Sequence, residues 1–517
     1  MTQAPPVAPD PLPALNAPDE QGAPGTFRIV LLSAVAFLVG WAIHIRDGEY
    51  ELTGTFNSRP IVRIAGALLC AVAAVLVPRW LRGRRAWRDV ALAAVMAAAV
   101  AQFVMLFRAP PGGWNDWSDD LKDKAPSNLA LYYGGVTAAA ALVLIAVAAR
   151  RRFWVYPFGL LLLVHLGLGG WMVLSSPEPK IDVWQFQQIG GRALLAGDTP
   201  YRWTDPQGNP RYPNIYFDPT KEPEQAVYGT KQAPGPWLAT GFPYTPVSLF
   251  VSTAGYAAGG DHRYAQAACL TLAGLLLAAA RPGGWGALAA VLLLFTPRAF
   301  FVLGRGWSEP IVVLFLALTV FTAFRLPRLL PIALGLLLAS KQYMVFAVPL
   351  AWLLVPDPRD WRAGLKLVGG GLLVAAVVTL PLALWDLKAF WESAVVTQLD
   401  APFRRRDALS FLVWMVDAGG HRDDPAWNPP LWLAFPAALL ALVIALRYCP
   451  RTPAGFCTGL VAVYLPFIAF NKQAFANYYL FVIAAAVCAI AAMRPEPPAL
   501  VKPAGRSAPR QASAEVP

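Results

Sequence analysis

The sequence is poor in charged residues and in cysteine. Only 14% of its 517 residues are charged and 57% are hydrophobic, whereas about a quarter of the residues of a soluble domain are charged. This scarcity excludes an ordinary soluble protein, because the few charges lie in short stretches between long apolar runs. The five cysteines are Cys70, Cys269, Cys449, Cys457 and Cys488. They lie in or beside apolar runs without zinc-type spacing, which argues against a zinc site and a disulfide framework.

Long apolar runs are the dominant feature of the sequence. A helix that crosses a bilayer needs about 20 mostly apolar residues. The runs lie near 28–45, 61–78, 89–107, 128–149, 153–175, 242–258, 264–280, 285–303, 309–324, 329–355, 365–385, 430–447, 455–470 and 477–493. They predict an all-α, polytopic transmembrane helical bundle with about 13–15 spans. The run 329–355 fits either one long span or two short ones broken at Lys341.

Basic residues predict how the chain is oriented. The net charge is +12, but no basic and aromatic patch resembles a nucleic-acid surface. Arginines crowd the loops 79–88 and 150–152, which should be cytoplasmic by the positive-inside rule. The polar stretches 176–241 and 386–429, predicted to contain short amphipathic helices, then lie outside.

The termini and the early spans complete the predicted organisation. The Pro- and Ala-rich segments 1–27 and 494–517 are typical of disordered tails, here cytoplasmic. Residues 28–152 form N-terminal transmembrane helices of unknown role, and 153–493 form the core that carries the polar motifs. The Ala- and Arg-rich, Lys-poor composition favours a bacterial plasma membrane.

Asp182 is the candidate catalytic acid. It opens the segment 182–195, in which apolar residues recur at helical spacing and predict an amphipathic helix along the membrane surface. A carboxylate there could act as general base toward a sugar hydroxyl. The alternative is a capping box with Gln185, in which Asp182 only satisfies backbone N–H groups. Asp198 is a weaker candidate, because its neighbours indicate a turn.

Several cations are candidates for binding a phosphate. Lys341 lies deep in an apolar run, where an ammonium needs a partner or an aqueous cavity; the alternative is a lysine that snorkels from a helix break. Lys472 is either a ligand or an interfacial lysine. Arg404, Arg405 and Arg406 oppose the positive-inside bias, and arginine binds phosphate bidentately, although contact with anionic lipid headgroups would explain them equally.

Amides and aromatic residues surround these cations in the sequence. The candidate substrate-binding residues are Gln342, Asn471, Gln473, Asn477, Tyr201 and Tyr244. Tyr201, Tyr212, Trp203 and Trp237 could stack on sugar faces or simply be interfacial. The acidic clusters at 119–120 and 421–424 show no convincing ligand set, so no metal and no other cofactor is expected.

The order of these motifs resembles that of the type-C glycosyltransferases, which use polyprenyl-phosphate sugars. The closest likeness is to the mannosyltransferases of glycosyltransferase family 87. It rests on Asp182, Gly197-Asp198-Thr199-Pro200-Tyr201, Phe242-Pro243-Tyr244-Thr245-Pro246, Ala339-Ser340-Lys341-Gln342 and Asn471-Lys472-Gln473-Ala474-Phe475-Ala476-Asn477-Tyr478-Tyr479. The likeness covers roughly 153–493, although the family's YPP-like element reads Tyr-Thr-Pro here.

The resemblance implies transfer of a sugar, with mannose favoured, from a polyprenyl-phosphate donor to an extracytoplasmic glycolipid or glycan acceptor. Such a donor carries its own leaving group, so one base and fixed positive charge suffice for an inverting displacement. A transporter or flippase of a lipid-linked saccharide would use the same intramembrane charges without chemistry. A non-catalytic scaffold would leave the buried Lys341 hard to justify.

Overall fold

Helices make up the regular structure of the chain. The computed structural model describes residues 23–46, 58–77, 86–108, 111, 129–148, 155–215, 217, 235–281, 284–400, 408–420 and 429–493. Within these ranges no β-strand forms, and only two isolated bridges occur, between Thr204 and Pro210 and between Pro213 and Trp237. The predicted all-α fold is therefore confirmed.

The α-helices are numbered in chain order. They are α1 (Ala23–Arg46), α2 (Ser58–Leu76), α3 (Ala86–Arg108), α4 (Leu129–Ala148), α5 (Val155–Ser175), α6 (Asp182–Leu195), α7 (Pro246–Gly259), α8 (Arg263–Ala280), α9 (Gly284–Leu294), α10 (Ala299–Gly304), α11 (Glu309–Arg325), α12 (Leu330–Leu338), α13 (Ala347–Leu350), α14 (Trp361–Trp385), α15 (Leu387–Trp391), α16 (Thr397–Asp400), α17 (Phe411–Ala418), α18 (Ala434–Tyr448), α19 (Pro453–Ala469) and α20 (Ala476–Ala492). Short 3₁₀ segments lie at Pro327–Leu329, Gln342–Phe346, Ala351–Leu354 and Leu431–Leu433, and Glu392–Val396 is a π-helix.

The chain is a multi-pass membrane protein. Eight of the described helices are long and apolar enough to cross a bilayer, and five more apolar helices are shorter. Large apolar side chains face outward on the long helices, as Leu373 and Leu384 do on α14, each 65% exposed. Such extended exposed apolar surface is compatible with lipid and not with water.

Local sequence signals set where several helices begin. The Asp360 carboxylate accepts a hydrogen bond from the backbone N–H of Ala363 at the start of α14. The Thr452 hydroxyl does the same for Gly455 at the start of α19. Both caps satisfy N–H groups that the first turn of a helix cannot satisfy itself.

Helix α20 is the centre of the bundle. Every residue of α20 except Tyr478 is buried, as expected of a helix that is apolar on all sides. It packs against α1, α9, α11 and α19, while α1 also packs against α2 and α3. The N-terminal helices therefore pack directly on the core and share one continuous buried cluster with it.

Three helix breaks lie inside the described part of the bundle. The run 285–303, predicted as one segment, is divided into α9 and α10, because Pro297 cannot continue the helix and Arg298 adopts a left-handed conformation with φ of 69°. A second left-handed residue, Gly306, separates α10 from α11. The run 329–355 is also divided, because α12 ends at Leu338 and Lys341 is extended. Of the two alternatives left open for that run, the broken one is confirmed.

The two large polar stretches contact each other. The Arg202 guanidinium pairs with the Asp386 carboxylate at 2.6 Å. The Ser393 hydroxyl donates to the Tyr201 carbonyl at 2.8 Å, and the Tyr201 and Phe390 rings lie 4.8 Å apart between centroids. The stretches 176–241 and 386–429 therefore meet at one end of the bundle, which we call the loop end.

Candidate functional site

Asp182 begins helix α6 at the loop end. Ile181 occupies the N-cap position without a side-chain cap, so Asp182 is the first helical residue and the capping box with Gln185 does not form. One Asp182 carboxylate oxygen accepts a hydrogen bond from the Val183 backbone N–H at 2.8 Å. Asp182 is partly exposed, so its carboxylate is oriented by its own helix and remains accessible.

The apolar stripe of α6 faces the protein. Val183 and Phe186 belong to a buried cluster with Tyr212, Phe242 and Leu249, and the Phe186 and Tyr212 rings lie 5.1 Å apart. The predicted amphipathic helix is therefore present, and its apolar stripe is covered by protein. Periodicity identifies an apolar face without identifying what covers it.

Buried amides also fix α6 to the bundle. The Gln187 amide donates to the carbonyl of Gly306 and accepts from the Ser252 hydroxyl and the Gln266 amide. The Gln188 amide donates to the Gly260 carbonyl at 3.0 Å. Since buried polar groups are costly unless they are paired, these bonds specify a single position for α6 and hence for Asp182.

A charged cluster at the start of α8 supports the same helix. Burial raises the pKa of Asp261, but hydrogen bonds from Arg263 and its positive charge outweigh burial and hold that pKa below its usual value. The Trp184 indole N–H donates to Asp261. Nδ1 of the buried His262 lies 2.9 Å from the Gln188 side-chain oxygen, which fits a neutral imidazole that donates.

His262 predicts a pH-dependent stability. Burial lowers its pKa from 6.5 to about 4, so the folded protein holds it neutral while the unfolded chain protonates it. Its contribution is therefore fully present above pH 6.5 and is lost as the pH falls toward 4, by on the order of 3 kcal/mol. The melting temperature of the wild type should fall between pH 7 and pH 4.5 more than that of His262→Asn, which keeps a neutral donor. Equal losses in the two proteins would contradict this assignment.

The second part of the site is a buried ion pair. The Lys341 ammonium pairs with the Glu309 carboxylate and donates to the Ser308 hydroxyl at 2.9 Å. Glu309 is 0% exposed and Lys341 is 3% exposed. The pair joins two of these breaks, because Glu309 begins α11 after the break at Gly306, and Lys341 lies between α12 and the next 3₁₀ segment. Lys341 therefore has a partner inside the protein and does not snorkel.

Three tyrosine rings surround the ammonium. Lys341 Nζ lies 5.0 Å from the ring centroid of Tyr244, 5.2 Å from Tyr478 and 5.8 Å from Tyr343. All are within the range of cation–π attraction. The predicted residues Lys341 and Tyr244 are thus brought together, and Tyr244 shares its buried cluster with Val183, the neighbour of Asp182.

Gln342 and Tyr201 have structural contacts beside this pair. The Gln342 amide donates to the carbonyls of Pro243 at 2.7 Å and Ala394 at 2.9 Å. Tyr201 is 1% exposed and its hydroxyl donates to the Tyr244 carbonyl at 3.0 Å. Tyr201 and the equally buried Tyr212 are therefore not exposed platforms for a sugar, whereas Trp203 and Trp237 are 41% and 42% exposed.

The late motif lies next to the second polar stretch. Lys472 Nζ donates to the Leu399 carbonyl at 3.1 Å, and the Leu409 N–H donates to the Ala474 carbonyl at 2.8 Å. The Asn471 and Gln473 side chains bond within the motif, the first to the Gln473 N–H and the second to the Tyr478 hydroxyl. Asn477 is buried.

Asp198 has a structural partner. Its carboxylate pairs with the Arg211 guanidinium and also accepts from the Thr199 backbone N–H at 2.7 Å. The pair holds the bend that follows α6.

Several predicted features lie outside the described residues. They are Arg404, Arg405 and Arg406, the tails 1–22 and 494–517, the basic segments 78–85 and 149–154, and the acidic clusters at 119–120 and 421–424. Among the residues that the structure does describe, no group of three or more His, Cys, Asp or Glu side chains is placed to hold a metal ion. None of the five cysteines forms a disulfide.

Comparison with known proteins finds no match to a protein-family model, a curated protein or a solved structure. The function must therefore be argued from the loop end itself. Its elements are a partly exposed acid on a firmly docked helix, a buried ion pair within tyrosines, and a lysine beside the second polar stretch.

Proposed function

We propose that the protein is a membrane glycosyltransferase that transfers a sugar from a polyprenyl-phosphate donor, with mannose favoured, to an extracytoplasmic glycolipid or glycan. The observation that supports this most is the position of α6. Buried amides fix α6 at the loop end, where Asp182 starts the helix and its neighbour Val183 packs in the same cluster as Tyr244. A fixed, accessible carboxylate at the end of the bundle where the two polar stretches meet suits a base that meets a lipid-borne substrate.

In this mechanism the Asp182 carboxylate takes the proton of the acceptor hydroxyl. The hydroxyl oxygen attacks the anomeric carbon from the face opposite the phosphate, and the bond between that carbon and the phosphate oxygen breaks. The lipid phosphate leaves with the electron pair, and the configuration inverts. No second acid and no metal is needed, because the phosphate is already a good leaving group once its charge is stabilised.

Among the residues that the structure describes, Lys472 is the cation best suited to bind the leaving phosphate. The Lys341 ammonium is neutralised by Glu309, so the pair offers an anion little net attraction. Lys472 donates to the Leu399 carbonyl, and Leu399 precedes Arg404, Arg405 and Arg406 by only five to seven positions in the sequence. These cations together would bind the phosphate at the loop end.

Lys472→Met should raise the KM for the lipid donor about tenfold, because a charge-assisted hydrogen bond contributes about 1.5 kcal/mol. Lys388→Met is the matched control: Lys388 lies in the second polar stretch but its side chain is 85% exposed, so its KM should stay within about twofold. An unchanged KM in Lys472→Met would remove Lys472 from the donor site.

The reaction class can be tested in proteoliposomes with labelled polyprenyl-phosphate mannose and a membrane glycolipid extract as acceptor. Transfer predicts release of polyprenyl phosphate together with label in the glycolipid, and no transfer from a nucleotide sugar. Absence of release with every lipid-linked sugar would refute the proposal.

A transporter of lipid-linked saccharides is the second candidate, and the two facing helix breaks favour it. Discontinuous helices bind substrates near the middle of several transporter folds. In the same proteoliposomes a transporter would move intact label across the bilayer without releasing polyprenyl phosphate.

A further inference from the structure

The ion pair between Lys341 and Glu309 has hydrogen-bonding capacity left over. An ammonium has three N–H donors, and Lys341 uses two of them, for Ser308 and Glu309. Glu309 Oε1 accepts from Lys341, whereas the buried Oε2 makes no hydrogen bond within the described residues. The buried Tyr343 hydroxyl makes none there either.

Buried polar atoms that make no hydrogen bond are unusual. Most buried polar atoms in folded proteins are hydrogen-bonded, and an unpaired one costs about 1–3 kcal/mol. Here a donor on Lys341, an acceptor on Glu309 and a hydroxyl on Tyr343 occur around one buried centre. Tyr343 faces the ammonium at 5.8 Å, and its hydroxyl lies close enough to the Glu309 carboxylate to interact with it, although not in the geometry of a full hydrogen bond, so the three groups are neighbours.

The charge of the centre decides what kind of ligand it suits. A phosphate would meet the negative charge of Glu309 along with the positive charge of Lys341, so the pair does not select for an anion. A neutral ligand with adjacent hydroxyl groups can donate to the carboxylate and accept from the ammonium simultaneously. The rings of Tyr244 and Tyr478 lie 5.0 and 5.2 Å from the ammonium and provide apolar surface next to it. Apolar walls with a few convergent polar groups are typical of small-molecule sites.

We propose that Lys341, Glu309 and Tyr343 bind hydroxyl groups of the donor's sugar, and thereby distinguish a sugar-bearing lipid phosphate from the bare lipid phosphate. This inference rests on the proposed function, since it assumes a lipid-linked sugar as substrate. It separates two tasks at the loop end: cations such as Lys472 bind the phosphate, and the buried pair recognises the sugar.

The test compares dissociation constants for polyprenyl-phosphate mannose and for polyprenyl phosphate, measured on the full-length protein in nanodiscs. The wild type should bind the sugar-bearing lipid at least tenfold more tightly. Tyr343→Phe, which removes one hydroxyl and keeps the ring, should reduce this preference several-fold. The double variant Glu309→Met with Lys341→Met should abolish the preference and still bind polyprenyl phosphate; it leaves no unpaired buried charge, so the fold is kept. Glu392→Gln, at an exposed position in the second polar stretch, is the control and should keep the full preference.

The outcomes separate the two proposals. If the wild type binds neither lipid, the proposed function is wrong and this inference falls with it. If the wild type binds both lipids equally, or if the double variant keeps the wild-type preference, the sugar-binding role of the pair is wrong while lipid-phosphate binding stands.

Discussion

Removing only one member of the Glu309–Lys341 pair is expected to destabilise the protein by about 3–5 kcal/mol. Glu309→Gln leaves the ammonium buried without its counter-charge, and Lys341→Met does the same to the carboxylate. Both groups are almost fully buried, so water cannot replace the lost partner. Unfolding in detergent by heat or by a denaturing surfactant measures the effect, as a lower midpoint for each single variant.

The double variant Glu309→Met with Lys341→Met should recover most of that loss. Exchange of a buried ion pair for apolar residues is often neutral, because the cost of desolvating two charges disappears together with their attraction. The exposed pair Lys388–Glu392, with nitrogen and oxygen 3.9 Å apart, is the matched comparison; breaking it should cost less than about 0.5 kcal/mol. If the double variant were as unstable as the single ones, the tyrosine-lined centre would depend on packing and not on charge.

Asp182→Asn should lower kcat for sugar transfer by about 10²–10⁴-fold, the range that general-base catalysis contributes. The amide cannot accept the proton of the acceptor hydroxyl, but its oxygen can still accept the bond from the Val183 N–H, so α6 should stay in place. The KM for the donor should therefore change little, and the melting temperature should match that of the wild type.

Asp205→Asn is the control for Asp182. Asp205 lies in the same polar stretch and its carboxylate accepts bonds from the backbone of Gln207 and Asn209, which an asparagine oxygen can also accept. It should keep full activity. A kcat for Asp182→Asn within threefold of the wild type would show that Asp182 is not the base. The base would then have to be another acid of the loop end.

Composition and periodicity predict the helices of this chain well because the bilayer imposes a strong requirement on each span. The runs near 89–107 and 128–149 correspond closely to α3 and α4. The break at Lys341 also follows from sequence, since a charge in hydrocarbon needs a local cause. Hydrophobic pattern does not predict the helix break at Arg298, because apolar residues continue on both sides of it. Pro297 is the one local signal of that break.

The partner of Lys341 cannot be predicted from the sequence. Ser308-Glu309-Pro310 has the composition of an ordinary helix start at a membrane surface, where an acid in the first turn is favourable. Only the fold shows that this start is buried and lies opposite a second break, 32 positions later in the chain. The same limit applied to α6, whose apolar face was predicted but whose neighbours were not.

The contact between the two polar stretches sets an order of events during synthesis. Tyr201 and Ser393, which hydrogen-bond to each other, are separated by 192 positions. At the usual pace of translation a ribosome needs roughly 10–40 s to cover that distance. For that interval the nascent first stretch lacks its contacts with the second stretch, and at least the membrane-spanning helices α8 and α14 must be inserted before the loop end can close. Chaperones that shield the nascent chain at the membrane would therefore act on this half-assembled intermediate.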